Sequence, residues 1–187
     1  MSNSNKTTWN IDPTHSAVEF AVRHLMISTV RGRFSDVSGF VELDEHDATL
    51  SKVDVTIQAA SIDTRQEQRD AHLRSADFFH AEQFPTLHFV GKQIRGDVNG
   101  EFTVVGDLTI RGVTREVTLD VTSEGRVNDP WGNLRAGFTA KGKISRSEYG
   151  LTWNQVLEAG GVAVGDEIKI SIDVELVRAS ADKAQAA

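Results

Sequence analysis

The sequence lacks cysteine, and this absence excludes several kinds of site. With no cysteine among 187 residues, disulfides, thiolate nucleophiles, zinc–thiolate centres and iron–sulfur clusters are impossible. Proline is scarce as well, at three residues, and no stretch reads as a linker. The length and the 39% hydrophobic content predict one globular domain.

The sequence also lacks a basic tract and a long apolar run. It carries 27 acidic and 20 basic residues, for a net charge of −7, and its arginines are scattered. We therefore expect no nucleic-acid partner and no docking to anionic membranes. No apolar run approaches the ~20 residues of a spanning helix, and residues 1–8 are polar, unlike a secretory signal peptide. We expect a cytoplasmic protein without stable membrane insertion, with tails at 1–8 and 179–187 around a domain at 9–178.

Alternation of apolar and polar residues predicts a protein rich in strands, because successive side chains of a strand point to opposite faces. The segments that alternate most clearly are 18–24, 53–57, 117–121 and 168–176, and weaker ones are 37–43, 86–94, 102–110 and 135–146. Asn99-Gly100 predicts a tight type I′ hairpin turn, and Asp129–Asn133 predicts a second turn. The polar segment 64–76 lacks alternation, and it predicts one or two helical turns.

These elements predict an all-β fold in which every strand has one apolar face to bury. Consecutive antiparallel strands of this kind form a sandwich or close into a barrel, and closure removes the exposed edges. The predicted inward faces are rich in Val, Ile, Leu and Phe. With about eight or more strands, a barrel interior is either filled by side chains or occupied by a ligand. Any such ligand would be apolar.

The titratable residues give weaker indications of function. His72 lies near Asp70 and Asp77 in sequence, as an acid–base cluster would, but capping of short helical turns is the favoured interpretation. The histidine spacing matches no common metal motif, so we predict no metal site and no cofactor. His24 continues the apolar face of Phe20 and Val22, which favours a core histidine over a ligand contact.

Several short motifs together resemble one known family, over residues 9 to 178. They are Trp9–Phe20 (WNIDPTHSAVEF), Ser61–Thr64 (SIDT), Asp70–Phe79 (DAHLRSADFF), Phe84-Pro85 with Phe89, Gly106–Thr114 (GDLTIRGVT) and Ile144–Leu151 (ISRSEYGL). In this order they resemble the YceI family. The resemblance implies an extended antiparallel lipocalin-like β-barrel with a short helical insertion, around a long apolar channel. It further implies binding of polyisoprenoids or related long-chain amphiphilic lipids, no catalytic activity, and allows a homodimer.

Ligand contacts are predicted at positions that the resemblance places in the channel and that the strand alternation also places on the inward face. These positions are Phe20, Val22, Val55, Ile57, Phe89, Leu108, Ile110, Leu119, Phe138, Ile144, Ile170 and Ile172, with His24 as a further candidate and Trp153 at the channel mouth. In the segment 37–43, Val41 and Leu43 are preferred inside over Phe40. A one-residue slip of register would invert any of these assignments.

Three hypotheses for function follow. The first is non-enzymatic binding, sequestration or transport of a polyisoprenoid or similar lipid in the channel. The second is a lipid-modifying enzyme that uses His72 with Asp70 or Asp77. The third is a filled barrel that acts as a protein-interaction module, and it predicts that the barrel has no cavity.

Overall fold

A computed structural model describes residues 6–44, 46–158 and 160–180, and almost all of its regular structure is β. Within these residues the strands are β1 (Lys6–Ile11), β2 (Ala17–His24), β3 (Ser28–Phe34), β4 (Val37–Asp44), β5 (Lys52–Gln58), β6 (Ile62–Asp63), β7 (Thr86–Gly96), β8 (Glu101–Ile110), β9 (Val113–Asn128), β10 (Leu134–Ser145) and β11 (Val164–Arg178). One α-helix, α1 (Glu67–Arg74), and three 3-10 helices, at Ala48–Leu50, Ala59–Ser61 and Arg146–Tyr149, complete this part of the chain. Among the described residues, every helix is too short or too polar to cross a bilayer.

The strands close into an antiparallel barrel. Around the ring, the order is β1, β4, β5, β7, β8, β9, β10 and β11, and β11 pairs with β1 to complete the circle. β11 is longer than β1, and its first part pairs with β2 while its last residues pair with β1. β3 pairs with β2, and the chain then enters β4. The predicted all-β lipocalin-like barrel with a short helical insertion is therefore confirmed.

The barrel has two unlike ends. At one end, which we call the hairpin end, the chain turns tightly at residues 97–100 and 129–133. At the other, the insertion end, two long connections cross the barrel: residues 59–85, which contain α1, and the segment that begins at 146 and leads into β11. Because both long connections fall at the same end, one end is covered by folded chain.

Some predicted elements differ from the structure. β3 was not predicted, and β1 begins at Lys6, inside the segment predicted as a polar tail. The type I′ turn at Asn99-Gly100 was wrong: neither residue has a positive φ, and the Gly100 N–H donates to the Asp97 carbonyl at 2.9 Å. The loop has four residues instead of two, because β7 ends at Gly96, which itself takes the positive φ of 114°.

Two inward-facing glycines let aromatic rings lie against the barrel wall. A Cβ built on Gly32 would stand 2.4 Å from the Phe20 ring, and one on Gly106 would stand 2.6 Å from the Phe89 ring. Each ring thus covers the backbone of a neighbouring strand at a point where no side chain fits. Such glycine positions allow a sheet to curve tightly into a closed barrel.

Candidate functional site

The interior of the barrel contains an elongated apolar cavity of about 310 Å³. It runs from Trp9 and Leu176 at the hairpin end to Phe78 and Tyr149 at the insertion end, and its wall is mostly Val, Ile, Leu and Phe. This volume lies at the lower end of the range for sites that hold drug-sized ligands. The cavity exists because alternate residues of each strand face inward and do not fill the barrel.

Most predicted ligand contacts line this cavity. Those that do are Phe20, Val22, Val55, Ile57, Phe89, Leu108, Ile110, Leu119, Phe138, Ile144, Ile170 and Ile172. The preference within β4 is also confirmed, because Val41 and Leu43 line the cavity while Phe40 is 37% exposed. The strand alternation therefore gave the correct face at these positions, and contact with a ligand stays a prediction.

Two predicted residues lie elsewhere. His24 is the last residue of β2 and is exposed, so it is neither a core histidine nor part of the cavity wall. The alternation continues to this residue, but the strand has by then passed the rim of the barrel. Trp153 does not line the cavity, so it is not at a channel mouth. Its ring packs beside the insertion end, with 5.4 Å between its centroid and that of Phe78 and 4.7 Å to that of His72.

The floor of the cavity was missed by the sequence analysis. Leu73, Phe78 and Phe79 come from the helical insertion, and Tyr149 and Leu151 come from the connection between β10 and β11. All five line the insertion end of the cavity. The one signal of this floor in the sequence was the apolar pair Phe78-Phe79, which follows a polar segment.

Of the proposed acid–base cluster, His72 and Asp77 meet, but Asp70 does not join them. Asp70 is 6% exposed, and its carboxylate accepts hydrogen bonds from the N–H (2.9 Å) and hydroxyl of Thr64. His72 instead contacts Asp77, with 2.8 Å between Nε2 and Oδ2, and neither residue lines the cavity. Asp70 thus has a structural role, tying α1 to the preceding chain, but it does not cap the helix as predicted, because the N-cap of α1 is Gln66.

Arg146 is a buried cation in the wall of the cavity. Its guanidinium donates to the carbonyl oxygens of Leu151 (2.6 Å), Gly165 (2.9 Å), Trp153 (3.0 Å) and Val164 (3.3 Å). Burial lowers the pKa of Arg146 from its ordinary value. One side chain thereby holds together the connection that forms part of the cavity floor.

Tyr149 lies one helical turn beyond Arg146 and has an unusual hydroxyl. The residue is 1% exposed, and among the described residues its hydroxyl is the only buried side-chain polar atom that lacks a hydrogen-bond partner. Burial raises its pKa to about 12, so the group remains a protonated donor at neutral pH. An unpaired buried hydroxyl costs about 1–3 kcal/mol, which a ligand oxygen could offset.

A second polar group of residues lies at the hairpin end. Side-chain ligand atoms of Asp12, His15 and Glu175 lie within 4.8 Å of one another, as in a metal site. The Arg135 guanidinium, however, donates to Asp12 at 2.8 Å and also to Glu175, so a cation already lies among these groups. Hydrogen bonds from Thr14, His15 and Arg135 hold the pKa of Asp12 well below its usual range. The arrangement is therefore an ion-pair clamp.

The fold and the cavity define a binding-type β-barrel, since the wall is apolar and the barrel encloses room for a ligand. A family model described as the YceI-like domain matches residues 9–176. The chain therefore belongs to the YceI-like family, as its motifs predicted.

Three similar proteins extend this comparison. A UPF0312 protein of Staphylococcus aureus is 41% identical over 170 residues, which cover 90% of this chain and 96% of the relative. The crystal structure of a Campylobacter jejuni YCEI protein is 34% identical with a TM-score of 0.71, covering 84% of this chain and 90% of the other. A polyisoprenoid binding domain from Saccharophagus degradans is 15% identical with a TM-score of 0.65, covering 91% and 98%, and shares the fold.

Proposed function

We propose that this protein binds a long-chain amphiphilic lipid, a polyisoprenoid or a related molecule, in the barrel cavity without converting it chemically. The observation that carries the proposal is the apolar wall, which is continuous from Trp9 at one end to Phe78 at the other. An elongated apolar space matches the shape and chemistry of an unbranched or isoprenoid tail. Membership of the YceI-like family and the shared fold with a polyisoprenoid binding domain support it.

The energetics of tail burial suffice for useful affinity. Each buried methylene contributes ~0.8 kcal/mol, so a tail that buries a dozen carbons offers roughly 10 kcal/mol before costs. After the costs of association are subtracted, affinity in the micromolar range or tighter is expected. No metal, nucleotide or covalent step is required for this.

The two alternative functions, a filled barrel and a lipid-modifying enzyme, have less support. A filled barrel predicts no cavity, and the structure has one. An enzyme that uses His72 with Asp70 or Asp77 requires these groups to face the ligand. Asp70 instead accepts hydrogen bonds from Thr64, and the His72–Asp77 pair does not line the cavity, although the His72 ring contacts the wall residue Phe78. Binding alone is therefore the function that the arrangement supports best.

Native mass spectrometry of freshly purified protein, followed by organic extraction, tests the proposal directly. We expect a co-purified long-chain species at close to one per chain. A folded, empty protein that also fails to bind isoprenoid alcohols, quinones and fatty amides in titrations would contradict the proposed function.

A pair of neighbouring substitutions locates the binding to the cavity. Ala140 is buried in the cavity wall, and Lys141 is the next residue of β10 on its exposed outer face. Ala140→Phe places a ring in the cavity and is expected to weaken lipid binding about ten-fold or more, whereas Lys141→Phe leaves it unchanged. Displacement of a fluorescent fatty acid measures both affinities, and thermal melts confirm that both variants fold. Equal affinities would place the lipid outside the barrel.

Transport is the finer part of the proposal. A carrier should accelerate the transfer of a fluorescent isoprenoid between donor and acceptor vesicles in proportion to its concentration, and Ala140→Phe should abolish the acceleration. Tight binding without faster transfer would leave sequestration as the function.

A further inference from the structure

The hydrogen-bonded ladder between β9 and β10 stops short of the insertion end of the barrel. Their ladder ends at the pair Asp120–Lys141, although β9 extends back to Val113 and β10 runs on to Ser145. Over these same stretches each strand keeps its ladder with its other neighbour, β8 or β11. The barrel wall therefore contains a gap in its hydrogen bonding at one place along its side.

A polar groove lies on the outer surface at this gap. The groove and the internal cavity have three wall residues in common, which are Val117, Ile144 and Tyr149. Because the same side chains line both spaces, a single layer of side chains separates them. No ladder hydrogen bond between the two strands must break for these side chains to move aside.

Tyr149 lies in this partition with an unpaired hydroxyl. It contributes to the walls of both spaces, and its hydroxyl has no hydrogen-bond partner within the described part of the chain. An oxygen atom that linked an apolar tail in the cavity to a head group in the groove would pass beside it. Such an oxygen would accept the missing hydrogen bond.

The charges along the groove disfavour an anionic head group. The cations are Arg115 and Lys143, and the carboxylates are Glu116, Asp120, Glu148, Asp166 and Glu167. Two positive and five negative groups give the groove lining a formal charge of −3. Lys143 is already paired with Glu167 at 3.5 Å, and Lys92, outside the lining, lies 3.9 Å from Glu116. A carboxylate or phosphate would meet net repulsion, while a hydroxyl, amide or ammonium group would not.

We propose that the polar head of the bound lipid leaves the barrel sideways between β9 and β10, and that the groove selects a neutral or positively charged head group over an anionic one. This inference rests on the proposed lipid-binding function. It assigns the tail to the cavity, the first polar atom to the Tyr149 hydroxyl and the head to the groove.

A series of 18-carbon ligands, three with the oleyl tail and different heads and one without a head, tests the selection. Oleyl alcohol, oleamide, oleic acid and 1-octadecene are titrated by calorimetry or probe displacement into the intact protein and into Tyr149→Phe, at a pH where oleic acid is ionised. We expect the alcohol and the amide to bind more tightly than oleate. Tyr149→Phe should weaken the alcohol and the amide about three- to ten-fold, the value of one hydrogen bond, and leave 1-octadecene unchanged.

A reversible cross-link tests the sideways exit. Because the chain has no cysteine, Thr118→Cys with Lys143→Cys supplies a single thiol pair across the gap. Thr122→Cys with Thr139→Cys supplies a control pair within the ladder and outside the groove. Oxidation of the first pair should slow uptake of oleyl alcohol about ten-fold or more, and reduction should restore it. The control pair should show the same rate in both states. A short bis-maleimide closes the first pair if the disulfide does not form.

The outcomes separate the two proposals. If the protein binds none of the four ligands, the proposed function itself fails. If it binds them alike, and neither Tyr149→Phe nor closure of the gap alters binding, the lipid-binding function stands and the sideways exit is overturned.

Discussion

Two arginines lie at opposite ends of β10, and their charges have different kinds of partner. Arg135, near the start of the strand, pairs with the carboxylates of Asp12, Asp129 and Glu175. Arg146, directly after the strand, is 7% exposed, and within the described part of the chain its hydrogen bonds go to backbone carbonyl oxygens. The same type of side chain therefore secures the two ends of the barrel through different chemistry.

The difference matches what each end must do. At the hairpin end, the ladder between β9 and β10 is intact, and Arg135 joins the turn 129–133 to the bend that follows β1 and to β11. At the insertion end, the ladder is open and the floor depends on a folded connection. Ion pairs thus fasten the hairpin end, and neutral acceptors hold the end where we place the exit for the ligand.

Removal of Arg146 should have the largest effect. Arg146→Met leaves several buried carbonyl oxygens without donors, and we expect a loss of about 3–5 kcal/mol in the free energy of unfolding. Urea denaturation measures it, and limited proteolysis should show cleavage within 146–158 before the rest of the barrel is cut.

Arg146→Lys is the matched control for charge. It keeps the positive charge but loses the planar fork that reaches several carbonyls, so it should retain only a minor part of the stability. If the lysine variant were as stable as the original protein, charge alone would hold the floor, and the role assigned to the carbonyl contacts would be wrong.

The ion-pair clamp should fail in acid. Its hydrogen bonds lower the pKa values of Asp12 and Asp129 in the folded protein below their ordinary values. A lowered folded pKa gives stability that is present above about pH 4 and is lost as the pH falls toward the folded pKa. Arg135→Gln removes most of this stability, so its melting temperature should fall less steeply between about pH 4 and about pH 2 than that of the original protein.

Arg33→Gln is the control for this experiment. Arg33 pairs with Asp63 at 3.5 Å, and the two side chains are 59% and 38% exposed, so the substitution makes the same change of charge at a weaker pair near the surface. It should change the slope of melting temperature against pH much less than Arg135→Gln does, because the largest cause of the lowered pKa of Asp63 is the hydrogen bond from the Arg65 N–H. Equal slopes for all three proteins would show that the clamp contributes no pH-dependent stability.

The sequence predicted the wall of the cavity well and its two ends poorly. Alternation assigns faces such as those of Phe20 and Ile172 because a strand has a strict period of two. The floor depends on Tyr149 and Phe79, which meet only when the two long connections fold over the barrel, and no local pattern encodes that contact. The end of the β9–β10 ladder is equally non-local, since both strands continue their alternation past it.

Substitutions in two turns, one at each end of the barrel, should have the smallest effects on stability, and these effects should have opposite signs. At the hairpin end, Gly132 takes a φ of 85°, which glycine adopts without strain. At the insertion end, the turn between β2 and β3 places Leu25 and Met26 at φ of 50° and 59°, where Asn and Gly are normal, and this is why β3 and its hairpin were missed.

Gly132→Ala should therefore destabilise the protein by about 1 kcal/mol, while Met26→Gly should stabilise it by a few tenths to about 1 kcal/mol. Met26 is 51% exposed, so loss of its side chain removes little packing, and relief of strain should exceed the added flexibility of glycine in the unfolded chain. Urea midpoints of the two variants measured side by side decide the matter. If both shift downward, the Met26 side chain stabilises its turn by contacts that outweigh the strain. Opposite shifts would show that the insertion end keeps a strained apolar turn at a cost that the hairpin end avoids.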